Sequence, residues 1–442
     1  MKVNKKRWLT AGVATVLVTT MLAGCGTGGN TAAPEPGKAG AAKPFEGKKL
    51  TVVTANHPWG EAIKPLIPEF EAQTGMKVEL QSFFEDQLTQ KLTVQFTSNS
   101  ATPDVFMYRP LQEGKLFFKN GWLAPLDEYT TKDANYDFND FSKSAIGSTT
   151  VDGKLSGIPI ITEQEILYYR KDLLQKAGIA VPKTLDELTA AAKKLHDPKN
   201  EMYGFVARGQ RSPLVTQVSS FLFSEGGDFT TGDKATVNTP EAIKAFTTYS
   251  SLLKDYAPPG VLNMSWPQAF GIFAQGKVAF LTDANSLYKN VTDKEKSTVA
   301  DNVGFALFPA GKAGSKPYNI TSWGLGMNSK TANKDASWEF IKWATSKDVV
   351  LKTQKLGNPG ARASVWDSAD GTSGFPAEMV QVIKESAKGG VDHDRPVLIG
   401  VGEARDAVGA IVLQGMSGGD IKAAADKANQ ELQAIIDKEK GK

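Results

Sequence analysis

The alternation of short β-branched segments with amphipathic segments near the start of the chain constrains the fold most strongly. Strand-like runs cover residues 50–55, 77–83 and 103–108, and apolar residues at helical spacing separate them, beginning in EAIKPLIPEFEAQTG (61–75). Such a βαβαβ run predicts a parallel sheet, whose ligands approach the carboxyl ends of its strands. The sequence therefore predicts an α/β protein with functional residues directly after its strands.

The middle of the chain continues this pattern. TLDELTAAAKKL (184–195) begins with the T-x-x-E pattern of a capping box, and Thr239 followed by Pro240 is typical of a helix start. FGIFAQGKVAFLTDAN (270–285) predicts a helix that ends at Gly276 and a strand that ends at Asp283. The last part of the chain is predicted to be mostly helical.

The first 44 residues predict an export signal, a lipid attachment site and a tether. Four cations precede an uncharged apolar run that is shorter than the roughly 20 residues a membrane-spanning helix needs. LAGC (22–25) contains the single cysteine of the chain and resembles the lipobox of bacterial lipoproteins. We expect a signal peptide at 1–24, acylation of Cys25 with lipid such as palmitate, and a flexible tether at 25–44. An ordinary signal peptide followed by a chance cysteine is the alternative.

Charge and motif content exclude several classes of protein. The formal net charge is +3, and removing the four cations of the predicted signal peptide leaves about −1, which argues against a nucleic-acid binder. The three histidines, His57, His196 and His393, are far apart and lack H-E-x-x-H spacing, and no Walker phosphate loop is present. We therefore expect no metal site, no cofactor and no nucleic-acid partner.

Several stretches resemble, in the same order, the family 1 extracellular solute-binding proteins of ABC importers, the group that contains maltose-binding protein. They are IKPLIPEFEAQTGMKVEL, TPDVFMYRP, NGWLAPLDEY, GIPIITEQEILYYRKDLLQKAGI, WGLGMNSKTANKDASWEFIKWATS and LGNPGARASVW. The resemblance implies a two-lobed periplasmic-binding-protein type II fold, with three inter-lobe crossing segments and a ligand cleft between the lobes. It implies one lobe at 45–161 and 325–358, and a second at 164–322 and 362–442.

A carbohydrate or sugar-alcohol ligand requires aromatic rings for its C–H faces and polar groups for its hydroxyls. Together with the resemblance, this chemistry points to polar and aromatic residues at strand ends and crossings as ligand contacts. The candidates are Trp59, Glu85, Asp86, Tyr108, Arg109, Glu163, Gln164, Trp266, Asp283, Asn285, Trp323 and Arg362.

Some candidates have a structural alternative. Trp59 is equally consistent with an apolar contact to the helix that follows it. Glu85 and Asp86 suit a helix N-terminus, where the macrodipole favours acidic residues. Surface charge, turn chemistry and helix entry are the alternatives for Arg109, Asn285 and Trp266.

The resemblance implies a receptor and not an enzyme. We expect a monomer, lipid-anchored at the extracytoplasmic face of the cell membrane, that captures a carbohydrate or sugar alcohol and delivers it to the transmembrane subunits of an ABC permease. A secreted glycosidase that uses paired carboxylates, such as Glu163 and Asp283, is the alternative from the enzyme class. Arg109 and Arg362 also leave room for an anionic sugar.

Overall fold

The structure, a computed structural model, describes residues 43–441 with the exception of the side chain of Asp86. The predicted signal peptide, Cys25 and most of the predicted tether lie outside the described residues. Lys43–Lys442 forms one compact unit. Its strands are β1 (Lys49–Ala55), β2 (Lys77–Phe83), β3 (Val105–Tyr108), β4 (Thr150–Val151), β5 (Lys154–Leu155), β6 (Ile158–Arg170), β7 (Tyr203–Val206), β8 (Thr230–Thr231), β9 (Lys234–Ala235), β10 (Val278–Ala284), β11 (Val303–Leu307) and β12 (Asn319–Met327).

The α-helices connect these strands and make up most of the C-terminal part. None of the helices in the described part of the chain is long and apolar enough to cross a membrane. The helices are α1 (Pro58–Ile63), α2 (Ile67–Thr74), α3 (Glu85–Thr97), α4 (Lys115–Lys119), α5 (Asp127–Lys132), α6 (Lys143–Ser148), α7 (Lys171–Ala177), α8 (Leu185–Leu195), α9 (Leu214–Glu225), α10 (Pro240–Tyr256), α11 (Trp266–Ala274), α12 (Lys289–Thr292), α13 (Lys334–Ala344), α14 (Lys347–Lys355), α15 (Ala363–Asp367), α16 (Ala369–Thr372), α17 (Ala377–Ser386), α18 (Val401–Met416) and α19 (Ile421–Lys440).

The main sheet is mixed and has the strand order β2-β1-β3-β12-β6-β10-β7, with β11 also paired to β6. β1 pairs in parallel with both β2 and β3, which confirms the predicted βαβαβ run. β12 pairs antiparallel with β3 and with the first half of β6. The second half of β6 pairs antiparallel with β10 and β11. The long strand β6 therefore belongs to both halves of the sheet.

Proline and glycine set the limits of the first helices. The amphipathic segment at 61–75 is divided into α1 and α2, since Pro65 and Pro68 cannot donate the backbone hydrogen bonds of a continuous helix. Gly75 ends α2 with φ of 80°, a left-handed conformation that glycine adopts without steric cost.

The predicted helix starts in the middle of the chain are confirmed, with one difference in a cap. The Thr239 side chain accepts a hydrogen bond from the N–H of Ala242 at the start of α10. At the start of α8, the Thr184 hydroxyl accepts from the Glu187 N–H. The Glu187 carboxylate accepts from the N–H of Lys183, one residue before the position that a reciprocal capping box uses.

Two hydrophobic clusters divide the described chain into two lobes. One cluster takes its residues from 50–161 and 323–361, and the other from 166–308 and 375–436. β6 contributes residues to both clusters. The chain returns to the first cluster between Phe308 and Trp323, a segment that includes the first residues of β12, so both strands lie on crossing segments. The structure therefore has the two-lobed α/β architecture that the resemblance implies, while the exact lobe boundaries stay predictions.

Candidate functional site

A cavity of about 1010 Å³ lies where residues from both lobes meet. Its position follows from the sheet, because side chains that come after several strands converge there. Glu163 on β6 and Trp323 on β12 add the two crossing strands to its lining. The lining residues that follow strands are Asn56 and His57 after β1, Arg109 after β3, Arg208 after β7 and Ser286 after β10.

Two indole rings form the aromatic part of the lining. Trp323 is 4% exposed and still reaches the cavity. The Arg109 guanidinium carbon lies 5.9 Å from the centre of the Trp323 ring, and the imidazole of His57 lies at 5.9 Å between ring centroids. Trp266 is the first residue of α11 and is partly buried. These rings can contact the C–H faces of a hydroxylated ligand.

Arg109 is held in place by acidic neighbours. Its Nε and Nη2 donate to Glu113 Oε1 at 2.9 and 2.5 Å, and its Nη1 donates to Glu85 Oε2 at 3.3 Å. A π-helical turn at Pro110–Gly114 brings Glu113 back towards Arg109. The guanidinium is therefore oriented before any ligand binds, which lowers the entropy cost of a hydrogen bond to a ligand.

Arg208 forms a buried ion pair with Asp283. Its Nε and Nη2 donate to the two carboxylate oxygens at 3.0 and 2.6 Å. Gln217 Nε2 also donates to Asp283 Oδ1, at 3.0 Å. Burial lowers the pKa of Arg208, but the Asp283 carboxylate outweighs this and raises it above its usual range. Asp283 thus keeps a cationic donor fixed at the cavity.

Glu163 is a carboxyl group with an unusual ionisation. Burial raises its pKa to about 7, although a hydrogen bond from Ser286 and the charge of Arg208 act in the opposite direction. The Ser286 hydroxyl donates to Glu163 Oε1 at 2.5 Å. Near neutral pH the group is therefore present in both protonation states and can donate or accept a hydrogen bond.

His57 is a neutral donor at the same cavity. Burial lowers its pKa to about 4. Its Nδ1 accepts a hydrogen bond from the Trp59 N–H at 3.2 Å, so the proton of the neutral imidazole resides on Nε2. His57 also caps the N-terminus of α1, which fixes the ring.

The second lobe contributes a cluster of charged residues that we call the paired-arginine cluster, formed by Asp394, Arg395 and Arg405. Asp394 and Arg395 lie between α17 and α18, and Arg405 lies on α18. Arg395 Nη1 donates to Gln112 Oε1 at 2.6 Å, and Arg405 Nη1 donates to the same oxygen at 3.0 Å. Because Gln112 belongs to the first lobe, this oxygen joins the two lobes at the cavity.

Five predicted contacts lie on the cavity lining: Glu85, Arg109, Glu163, Trp266 and Trp323. That these residues contact the ligand stays a prediction. The backbone of Asp86 lies in the first turn of α3, and its side chain is outside what the structure describes.

Three predicted contacts lie in the first lobe's interior and are not among the residues that line the cavity. Trp59 is 2% exposed in the hydrophobic cluster, as the structural alternative proposed. Tyr108 is 1% exposed, and its hydroxyl lies 3.0 Å from Ser156 Oγ. Arg362 is 1% exposed and donates to the carbonyl oxygens of Thr345 and Tyr136. Arg362 thus ties backbone segments together at the predicted third crossing.

Three further candidates lie behind the lining and act indirectly. The backbone N–H of Gln164 donates to Asn285 Oδ1 at 3.0 Å, and both residues are buried. Asp283 is fully buried and orients Arg208. Glu163, which precedes Gln164, and Ser286, which follows Asn285, line the cavity instead.

The sequence reasoning missed Arg208, Gln112 and the paired-arginine cluster. Arg208 follows β7 in YGFVARG, so the same strand-end rule that selected Arg109 could have found it. Gln112 and the cluster have no comparable local signal, because helix packing brings them to the cavity. Within residues 43–441, no group of three or more His, Cys, Asp or Glu side chains is placed to hold a metal ion.

Comparisons with known proteins agree with this architecture. Residues 54–350 match the profile of the family described as bacterial extracellular solute-binding protein. A mannitol-binding protein from Pseudomonas aeruginosa is 31% identical, over 71% of this chain and 72% of that protein. An erythritol/L-threitol-binding protein from Mycolicibacterium smegmatis is 27% identical, over 81% of this chain and 80% of that protein. The crystal structure of an ABC transporter solute binding protein from Agrobacterium radiobacter K84 in complex with ribitol superposes with a TM-score of 0.79 at 30% identity, covering 89% of this chain and 100% of that chain.

The fold and the cavity define a two-lobed solute-binding protein. The chain belongs to the bacterial extracellular solute-binding protein family, which confirms the resemblance. These relatives are binding proteins and give no support to the glycosidase alternative.

Proposed function

We propose that the protein captures a sugar alcohol, or a related carbohydrate, in the inter-lobe cavity and delivers it to the permease of an ABC importer. The observation that carries this proposal is a cavity whose lining combines two indole rings with charged donors that carboxylates pre-orient. The relatives are named for mannitol and erythritol or L-threitol, and one solved relative holds ribitol. All of these ligands are open-chain sugar alcohols.

The lining suits the chemistry of such a ligand. A sugar alcohol carries a hydroxyl on every carbon and has C–H groups along its chain. Trp323 and Trp266 supply apolar faces, while Arg109 and Arg208 supply donors whose positions carboxylates already fix. Glu163 can accept from one hydroxyl or donate to another, since its pKa is raised to about 7 by burial. The same cavity therefore offers partners for both the C–H groups and the hydroxyls of the ligand.

Delivery requires a change of shape, and the contacts between the lobes are those that opening would break. Gln112 joins Arg395 and Arg405 across the cavity, and Lys115 of the first lobe forms an ion pair with Glu439 of the second. A ligand that contacts both lobes binds the closed form more tightly than the open form and shifts the population towards closure. The permease would recognise the closed surface and supply the energy of transport.

The family and the predicted N-terminus support a proposal for where the protein is located. The family is described as extracellular, which supports an extracytoplasmic location. We propose that lipid on Cys25 anchors a monomer at the outer face of the membrane, close to the permease.

A ligand screen tests the proposal. Purified protein is heated in the presence of D-mannitol, ribitol, erythritol, maltose and glucose, and each hit is titrated by calorimetry. A ligand at 100 times its Kd stabilises the folded state by about 2.7 kcal/mol, so sugar alcohols should raise the Tm. The proposal fails if every sugar alcohol and sugar leaves the Tm and the calorimetric heat unchanged. New reducing ends after incubation with oligosaccharides would instead favour the glycosidase.

A further inference from the structure

The paired-arginine cluster has an unbalanced charge at the cavity. Arg395 is paired with Asp394 through Nε at 2.6 Å and Nη2 at 2.5 Å. Arg405 is only 9% exposed, and its acceptors are the Ser212 carbonyl oxygen, the Thr216 hydroxyl and the Gln112 amide oxygen. Throughout the described chain, no carboxylate lies within ion-pair distance of Arg405. Two guanidinium groups therefore share one carboxylate.

The ionisation of the cluster reflects this imbalance. Burial alone would raise the pKa of Asp394, but the charges of Arg395 and Arg405 hold it at about 2. Burial lowers the pKa of Arg405 well below its usual range, and the neighbouring charge of Arg395 lowers it further. The positive charge of Arg405 is thus desolvated without a matching negative charge, which is unfavourable unless a counter-charge arrives.

The position of the missing negative charge is indicated by Gln112. Its amide oxygen accepts from Nη1 of both arginines, so it occupies the place where a second carboxylate would be expected. Arg395 and Arg405 each make four hydrogen bonds to described residues, and a guanidinium has five N–H groups. One N–H of each Nη1 therefore remains for a further acceptor beside Gln112.

We propose that the natural ligand is an open-chain polyhydroxy carboxylate, such as an aldonate, whose carboxylate binds Arg395 and Arg405 beside Gln112. This inference rests on the proposed function, because it keeps the open-chain hydroxylated ligand and adds a charged end. A carboxylate carries one negative charge and matches the single unbalanced positive charge of the cluster. A phosphate ester carries about −1.5 to −2 and would leave the cluster over-compensated. The hydroxylated end of the ligand would extend towards Trp323 and Arg208.

Matched ligand pairs test the inference. D-mannonate differs from D-mannitol, and D-ribonate from ribitol, by a carboxylate in place of one terminal CH2OH group. Calorimetry should show each aldonate binding at least tenfold more tightly than its sugar alcohol at low ionic strength. This preference should shrink as salt is added, because salt screens the charge interaction. The wild-type measurement is informative even if a variant of the cluster fails to fold.

Substitutions assign the preference to the cluster. Arg405→Gln should abolish the aldonate preference, measured as the ratio of the aldonate and sugar-alcohol affinities of the same variant, whereas Arg405→Lys should retain part of this ratio. Arg211→Gln is the matched control, since Arg211 is exposed on the second lobe and bonds to the Asp406 carbonyl oxygen. Circular dichroism and the Tm show whether each variant is folded.

Each outcome separates the two proposals. Sugar alcohols that bind as tightly as their aldonates contradict the inference and leave the proposed function standing. An aldonate preference that survives in folded Arg405→Gln protein, or tighter binding of D-mannitol 1-phosphate than of D-mannonate, also contradicts the inference. Failure of both series to bind contradicts the inference, and it contradicts the proposed function as well if maltose and glucose also leave the Tm and the calorimetric heat unchanged.

Discussion

Replacement of Trp323 by Ala tests the aromatic part of the site. Trp323 is 4% exposed, so its truncation removes core packing as well as a ligand contact. Loss of a buried tryptophan costs about 3–5 kcal/mol of unfolding free energy, against a total of about 5–15 kcal/mol for a folded protein. Binding measurements on this variant therefore require low temperature and a prior denaturation curve. We expect the affinity for the best ligand of the screen to fall by more than tenfold, or about 1.4 kcal/mol.

A second tryptophan separates lost packing from lost binding. Trp338, on α13, is 8% exposed in the same hydrophobic cluster and packs against Tyr129 and Tyr136. Trp338→Ala should destabilise the fold by a similar amount and leave ligand affinity within about twofold. Calorimetric titration of the two folded variants is the assay. Unchanged affinity in Trp323→Ala, or an equal loss in both variants, would refute the assignment of Trp323 to the site.

Three other substitutions have expected outcomes. The pKa of Glu163 is raised to about 7 in the fold, so its contribution to stability is present below about pH 4.5 and is lost as the pH rises through 7. Glu163→Gln should therefore gain about 2 kcal/mol relative to wild type between pH 5 and pH 8 in denaturant titrations, and a pH-independent difference would count against the raised pKa. Arg208→Met leaves Asp283 buried without its cation and should cost about 3–5 kcal/mol, while Arg211→Met should change stability by less than about 0.5 kcal/mol; equal stabilities would contradict the ion-pair reasoning. Cys25→Ser should release the protein from membranes with ligand affinity unchanged, and a variant that still sediments with membranes would argue against lipidation.

The pattern of strands and helices predicted much of the fold. The rule that functional residues directly follow strands predicted part of the cavity. The βαβαβ pattern located β1, β2 and β3, and the residues after strands include Glu85 and Arg109, which line the cavity. These features are local, because hydrophobic period and strand limits can be read from neighbouring residues. The crossing strands supplied Glu163 and Trp323 through the family resemblance.

Several predicted contacts that do not line the cavity are direct neighbours of residues that do. Successive side chains of an extended segment point to opposite faces. Tyr108 therefore packs in the core while Arg109 reaches the cavity, and Gln164 is buried while Glu163 lines the cavity. The sequence pattern identified the segment in each case, but burial on both faces of these strands removed the alternation that would indicate which side chain faces the cavity.

The remaining misses arise from contacts between distant parts of the chain. Arg395 and Arg405 meet Gln112 across more than 280 positions of sequence. Their convergence depends on how α18 and the segment before it pack against the first lobe. For Arg362, distant contacts have the opposite effect and keep a predicted ligand contact away from the cavity. This arginine is enclosed by Phe141, Tyr136 and backbone carbonyl oxygens.

Small-angle X-ray scattering shows whether the two lobes close on a hydroxylated ligand. The radius of gyration is measured without ligand and with the tightest ligand of the alditol and aldonate panel at saturation. We predict a smaller radius of gyration with ligand than without it. An unchanged radius of gyration at a concentration where calorimetry shows full occupancy would contradict closure as the basis of ligand delivery.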